Sequence, residues 1–176
     1  FHDFGYLRKR GDRRHRYGAE YTLTHVTRGS HHLQHYLPKI GLKRYANAGA
    51  ILVHYTGYER RAETIPLESN LLRRVGHMLG AADIIAQMAD RQYIEKCRDF
   101  LYREFVWGGI AREAQPDGRE VVRYASPTDL VIKTPGFYQY LARPRIEKRL
   151  GGVDRFAEAH LDGPNLYQQE IARNMQ

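Results

Sequence analysis

The chain has 176 residues, 42% hydrophobic and 27% charged, with 28 Lys and Arg against 20 Asp and Glu for a net charge of +8. That length holds one domain, or a domain with an extension, and can bury a sizeable core; no apolar run approaches the ~20 residues of a membrane-spanning helix, and no signal-peptide pattern is present. The single cysteine, Cys97, excludes an internal disulfide framework and fits a reducing cytoplasm, while the basic balance suggests an anionic partner or substrate.

The first six residues, Phe1-His2-Asp3-Phe4-Gly5-Tyr6, place an adjacent His and Asp between two aromatics and ahead of a glycine. They read as the last turn of a helix that Gly5 ends. Adjacent helical side chains project roughly 100° apart and cannot share one buried stripe. Both can reach a metal ion beyond the helix end, and imidazole plus carboxylate suits a first-row divalent metal. The plain alternative is a helix-end His beside an exposed Asp.

Next comes a basic loop, Arg8-Lys9-Arg10-Gly11-Asp12-Arg13-Arg14-His15-Arg16-Tyr17-Gly18, with no apolar period. It is either a solvated charge run or a phosphate-attracting rim beside the His-Asp turn, and both readings stay open. Ala19 to Leu37 reads as a helix ended by Pro38. Tyr21, His25, Gly29 and His32 share one face, and His31 and His35 form an i, i+4 surface pair. His25, flanked by Leu23 and Val26, is the better candidate for an inward ligand.

Gly41 to Thr56 forms a buried helix that delivers His54 at its end, as a satisfied core histidine or as a ligand. Glu68 to Met88 is a long amphipathic helix with Leu71, Leu72, Val75, Met78, Leu79, Ala82, Ile85 and Ala86 on its expected buried side. Asp83 falls inside that apolar stretch, where a carboxylate is costly unless paired or bound to a cation. Arg91 to Val106 is helical, and Gln115-Pro116-Asp117-Gly118 ahead of Val121-Val122 predicts a short hairpin. Shorter helices follow over Pro127 to Ile132, Phe137 to Leu141, Pro144 to Leu150 and Val153 to Leu161, with a last one after Asn165. The expected fold is all-α: a helical core over 1–106, a mostly helical C-terminal extension over 107–176 packing on it, and one short β-hairpin. There is no glycine-rich phosphate loop, zinc-finger spacing or nucleophile elbow.

The order His2-Asp3, His25, His54, Asp83, each on or at the end of a separate helix, resembles the HD superfamily of metal-dependent phosphohydrolases. The matching segments are Phe1-His2-Asp3-Phe4-Gly5, Thr24-His25-Val26, Leu52-Val53-His54-Tyr55 and Leu79-Gly80-Ala81-Ala82-Asp83-Ile84-Ile85, so the resemblance covers roughly residues 1 to 105. It implies an HD-like helical bundle in which His2, Asp3 and Asp83 bind a divalent metal, one or two ions of Mn, Fe, Mg, Ni or Zn. His25 and His54 would hold a second metal or donate a proton to the leaving oxygen, forming with Asp83 the expected catalytic set. The superfamily's first histidine precedes the doublet, so a ligand ahead of residue 1 is expected. The lysine that phosphodiesterase-type members usually carry after the glycine is Tyr6 here, and the Gly-Tyr-Pro signature of cyclic-dinucleotide members is absent, since Glu59 follows Gly57-Tyr58, which argues against a cyclic dinucleotide.

The implied activity is hydrolysis of a phosphomonoester or phosphodiester of a nucleotide or other phosphorylated metabolite in the cytoplasm. Lys9, Arg10, Arg13 and Arg14 would neutralise substrate phosphate. The alternatives are a non-catalytic HD-like nucleotide-sensing module and, behind it, a basic nucleic-acid binder. No membrane partner is expected, and a homodimer is left open.

Overall fold

A computed structural model describes residues 1–176, most of them in helices joined by 3-10 turns, with a single two-stranded ribbon. The first residues form a 3-10 turn, Phe4–Tyr6, with Gly5 inside it, so Gly5 does not end a helix as expected. The helix expected from Ala19 is split. A 3-10 turn covers Gly18–Tyr21, and helix α1, His25–Tyr36, begins only after Thr24 leaves helical geometry (φ −135°, ψ 0°). Carboxylates fix this break from both sides. Glu20 accepts from the N–H groups of Arg16 and Tyr17, both at 2.6 Å, and Glu59 accepts from those of Val26 and Thr27 at 2.7 and 3.0 Å.

Helix α2, Ala46–Leu52, runs between 3-10 turns at Lys43–Tyr45 and Val53–Tyr55. Helix α3, Asn70–Met88, is capped by the Ser69 hydroxyl, which accepts from Leu72 N–H at 3.3 Å. Helix α4, Tyr93–Lys96, passes through a π turn, Cys97–Leu101, into α5, Tyr102–Trp107. Strands β1, Arg112–Ala114, and β2, Glu120–Val122, pair antiparallel with Glu113 opposite Val121, giving the expected hairpin. Helix α6, Pro127–Phe137, does not stop at Ile132. It continues past Pro135 into a π turn, Tyr138–Ala142, and a second π turn follows at Arg145–Arg149. A 3-10 turn, Val153–Arg155, then leads into α7, Phe156–Leu161, and α8, Leu166–Asn174, closes the chain. No helix is long and apolar enough to cross a membrane.

The main core joins Tyr55, Ile65, Ala81, Ile84, Ile85 and Met88 to Ala142, Ile146, Leu150, Val153 and Ile171. The first hundred residues and the last forty therefore bury one surface together. A smaller cluster, Val26, Leu33, Leu37, Ala46 and Val53, holds α1 on α2. Arg145 ties the two ends of the sequence: buried, it donates to the carbonyls of Tyr55 and Gly57 at 2.8 and 2.5 Å and lies over the Tyr58 ring at 4.1 Å.

Helix α3 is rotated from its expected setting. Leu71, Val75, Met78 and Leu79 are exposed, while Gly76, Gly80, Ala81, Ile84, Ile85 and Met88 face inward. Close approach explains the rotation. A Cβ at Gly76 would lie 2.4 Å from the Tyr55 ring, and one at Gly80 would lie 2.4 Å from the Tyr55 carbonyl oxygen. The side of α3 without bulk takes the tight contact, and its larger aliphatics are left outside.

Candidate functional site

The turn carrying His2 and Asp3 lies flat on α1. Phe4 stacks on His32 with ring centroids 3.6 Å apart and planes 15° apart, and Phe1 packs at 5.4 Å from the Tyr36 ring. Arg28 on α1 donates to the carbonyls of Gly5 and Leu7 at 2.7 and 2.8 Å. The aromatics flanking the His-Asp doublet thus anchor it, leaving His2 and Asp3 to face α3.

There His2 Nε2 lies 3.1 Å from Asp3 Oδ2 and 3.2 Å from Asp83 Oδ1, so one imidazole nitrogen stands between two carboxylates. Asp83 also accepts from Gln87 Nε2 at 3.1 Å. Burial pushes the Asp83 carboxyl above the usual range and Asp3 adds to the rise, while His2 opposes it. His25 approaches from the other side, with Nε2 at 3.8 Å from Asp3 Oδ1. Its Nδ1 faces the Thr22 carbonyl at 2.7 Å. A carbonyl only accepts, so Nδ1 carries a proton, and in the neutral ring Nε2 would then turn a lone pair toward a carboxylate. Two acceptors facing each other repel unless a proton or metal cation lies between them.

His25 is flanked by Tyr6, noted in the sequence only as standing in place of a lysine, and by Glu59, to which sequence reasoning gave no role. Tyr6 stacks on its ring at 4.2 Å and 16°. Glu59, nearly buried, caps the start of α1 and accepts from the Thr27 hydroxyl at 2.5 Å. Its signal in sequence was faint, an acid ahead of Arg60 and Arg61 that resembles a surface charge. Glu59→Gln would turn an NH2 donor toward backbone N–H donors, and the loss of the cap is expected to lower the thermal midpoint by about 2–8 °C. An unchanged midpoint would show that Glu59 does not hold the helix start.

The remaining expected residues are placed apart. His54 is buried in the turn after α2; its Nδ1 has no hydrogen-bond partner, and burial holds its pKa below the ordinary value. No hydrogen bond or ion pair joins it to His2, Asp3, His25 or Asp83. The basic loop is folded on itself. Asp12 accepts from the N–H groups of Arg14 and His15 at 2.9 and 3.2 Å and from the Tyr21 hydroxyl, and Arg8 donates to the carbonyls of Arg16 and Asp12 at 3.1 and 2.8 Å. The Tyr21 hydroxyl is the main reason the Asp12 carboxyl lies well below the usual range. Lys9, Arg10, Arg13 and Arg14 are exposed and make no ion pair, but none of them lines the cleft beside Asp83.

That cleft has a volume of about 580 Å³. His2, Asp3 and Asp83 form one end, Glu104 and the ion-paired Lys96 and Asp90 stand around it, and Tyr93, Phe100 and Leu101 supply an apolar wall. Burial raises the Glu104 carboxyl, and Asp3 raises it further. Asp3, Asp83 and Glu104 have no Lys or Arg within ion-pair distance.

The donor set, two imidazoles and two carboxylates, fits a first-row divalent metal in kind and charge. In the structure these side chains pair with one another, and no three His, Cys, Asp or Glu residues stand in a group that could hold a metal ion as they are. No family model, no curated protein and no solved structure matches the chain.

Proposed function

We propose that the chain is a metal-dependent phosphohydrolase of the HD type, built on an HD-like helical bundle and acting on a nucleotide or another phosphorylated metabolite. One observation carries this reading. Of the cleft's four carboxylates only Asp90 has a Lys or Arg partner; Asp3, Asp83 and Glu104 would repel a phosphate ester, so phosphate chemistry beside them requires a bound cation. His2, Asp3 and Asp83 would hold the metal, with His25 Nε2 beside them. Bound there, a divalent metal supplies Lewis acidity toward a phosphoryl oxygen and acidifies water.

The chain's own residues account for the rest. Thr22 fixes the His25 tautomer, leaving Nε2 able to take a proton or, once protonated, to give one to a leaving oxygen. Tyr93, Phe100 and Leu101 would receive the organic part of the substrate against an apolar wall. His54 would act only after its ring or its surroundings move. Lys9, Arg10, Arg13 and Arg14 would draw an anion toward this face from outside the cleft. The pairing of His2 with both carboxylates favours a second reading, a nucleotide-binding module without turnover.

Metal analysis and a substrate screen separate these readings. After incubation with Mn²⁺ and desalting, the protein is expected to retain metal, and to release phosphate from at least one member of a panel of nucleotides and sugar phosphates. Retained metal without turnover would favour the binding module. Neither metal nor turnover would overturn both.

A further inference from the structure

We propose that the chain has a second ligand site, remote from the cleft, that binds the phosphate group of a small phosphorylated metabolite. The site lies where the first turns of α3 meet the turn before α7. Asn70, Arg73, Arg74 and His77 recur at i, i+3, i+4 and i+7, a spacing that sets all four on one helix face. Together with Arg155 and Phe156 they line a cavity of about 320 Å³ that shares no residue with the Asp83 cleft.

Charge identifies the ligand. Three arginines and a histidine converge on this cavity, and no Asp or Glu lines it. None of Arg73, Arg74 and Arg155 forms an ion pair, although many of the chain's other arginines do. Like charges gathered without counter-charges repel one another, and a bound anion relieves that repulsion.

The arginines are also partly oriented. Arg73 donates to the Leu67 carbonyl, and the Arg155 guanidinium lies 5.2 Å from the Phe156 ring centroid. The planar guanidinium fork suits phosphate oxygens, which it can bind through two hydrogen bonds at once. His77 is half-buried, with its ring edge-on to Tyr55 at 5.5 Å and 65°, so it reports on anything entering the cavity. The volume is at the small end of ligand clefts, enough for a phosphate or pyrophosphate group with a modest organic part.

The test uses inorganic phosphate, pyrophosphate and a hexose 6-phosphate as separate probes of the full chain at fixed pH. At least one is expected to shift the His77 ring resonances saturably. At a hundredfold excess over its dissociation constant, that probe should raise the thermal midpoint by about 5 °C or more. The side chains of Arg74 and Arg155 are exposed and make no hydrogen bond or ion pair, so Arg74→Gln with Arg155→Gln should leave the protein folded and weaken binding by about tenfold or more. Lys39→Gln with Lys43→Gln, exposed residues that line neither this cavity nor the Asp83 cleft, should leave binding intact. The proposal is overturned if no probe moves His77, if binding survives in the Arg74 and Arg155 variant, or if the Lys39 and Lys43 variant abolishes it. Should the Arg74 and Arg155 variant misfold, the His77 titration of the unaltered protein decides alone.

Discussion

Asp83→Asn is expected to strip the protein of retained divalent metal and to reduce phosphohydrolase turnover by well over about 100-fold, since losing even an outer hydrogen-bond partner of a metal ligand costs 10–100-fold. The substitution keeps the side chain's size and one acceptor oxygen, so Gln87 retains a partner. What it removes is the charge a bound cation requires. Stability without metal should move the other way. Burial raises the Asp83 carboxyl above its unfolded value, so the folded state binds this proton more tightly than the unfolded chain. That contribution to stability is present at low pH and is lost as pH rises through the folded-state value. Once ionised, the nearly buried carboxylate is therefore a liability, and above the folded-state value the metal-free Asn variant should melt later, by roughly 2–4 °C for each kcal/mol recovered. The difference should shrink toward acid pH. Unchanged metal content would defeat the ligand assignment. If metal loss instead lowered the midpoint sharply, the metal's binding energy would be part of the folding energy and its role structural.

Gly5→Ala is expected to be the most damaging single-methyl change in the chain. A Cβ at Gly5 would stand 1.7 Å from the His25 carbonyl oxygen and 2.5 and 2.7 Å from its carbonyl carbon and Cα. These are backbone atoms, so no rotamer change relieves the clash, and the first turn must lift away from α1. Overpacking of this kind costs about 3 kcal/mol, which lowers the midpoint by roughly 6–12 °C. The lifted turn also carries His2 and Asp3 away from Asp83 and His25, so retained metal should fall with it. Gly11→Ala is the comparison. Gly11 has φ +86° and nothing within 4 Å of a Cβ, so only backbone strain of about 1–2 kcal/mol is at stake. Equal damage from the two substitutions would refute the close-contact account, as would normal metal retention in Gly5→Ala.

The proximity of His2, Asp3 and Asp83 was legible because a carboxylate in an apolar helical stretch has few physical excuses. The helices and the hairpin were legible from period and turn chemistry. Other features needed distances that no local pattern carries. Glu59 reaches the start of α1 across 33 residues, and nothing near it in sequence marks it as a cap. Apolar periodicity gave α3 the wrong face because it weighs bulk, whereas packing against Tyr55 selected the absence of bulk at Gly76 and Gly80. His54 was read as a ligand or a core residue. Its place in the interior, with an unpartnered Nδ1, follows from how tightly the turn after α2 is covered, which no sequence window records. The cavity that joins Arg73, Arg74 and His77 to Arg155 was not read from the sequence, because it depends on a contact between segments about 80 residues apart.

Arg145 sets a condition on how the chain comes together. Its bond to the Tyr55 carbonyl closes a loop of 90 residues, an ordering cost of about 4 kcal/mol before any constant is added. Ile171, fully buried, adds its contact with the same core still later in the sequence. Individual helices can form early from neighbours in sequence, but their shared interior waits for the last segment to arrive. Until then, during synthesis, Tyr55 and the inner face of α3 stay open to water, which makes the unfinished chain a client for whatever shields apolar surface in the cell.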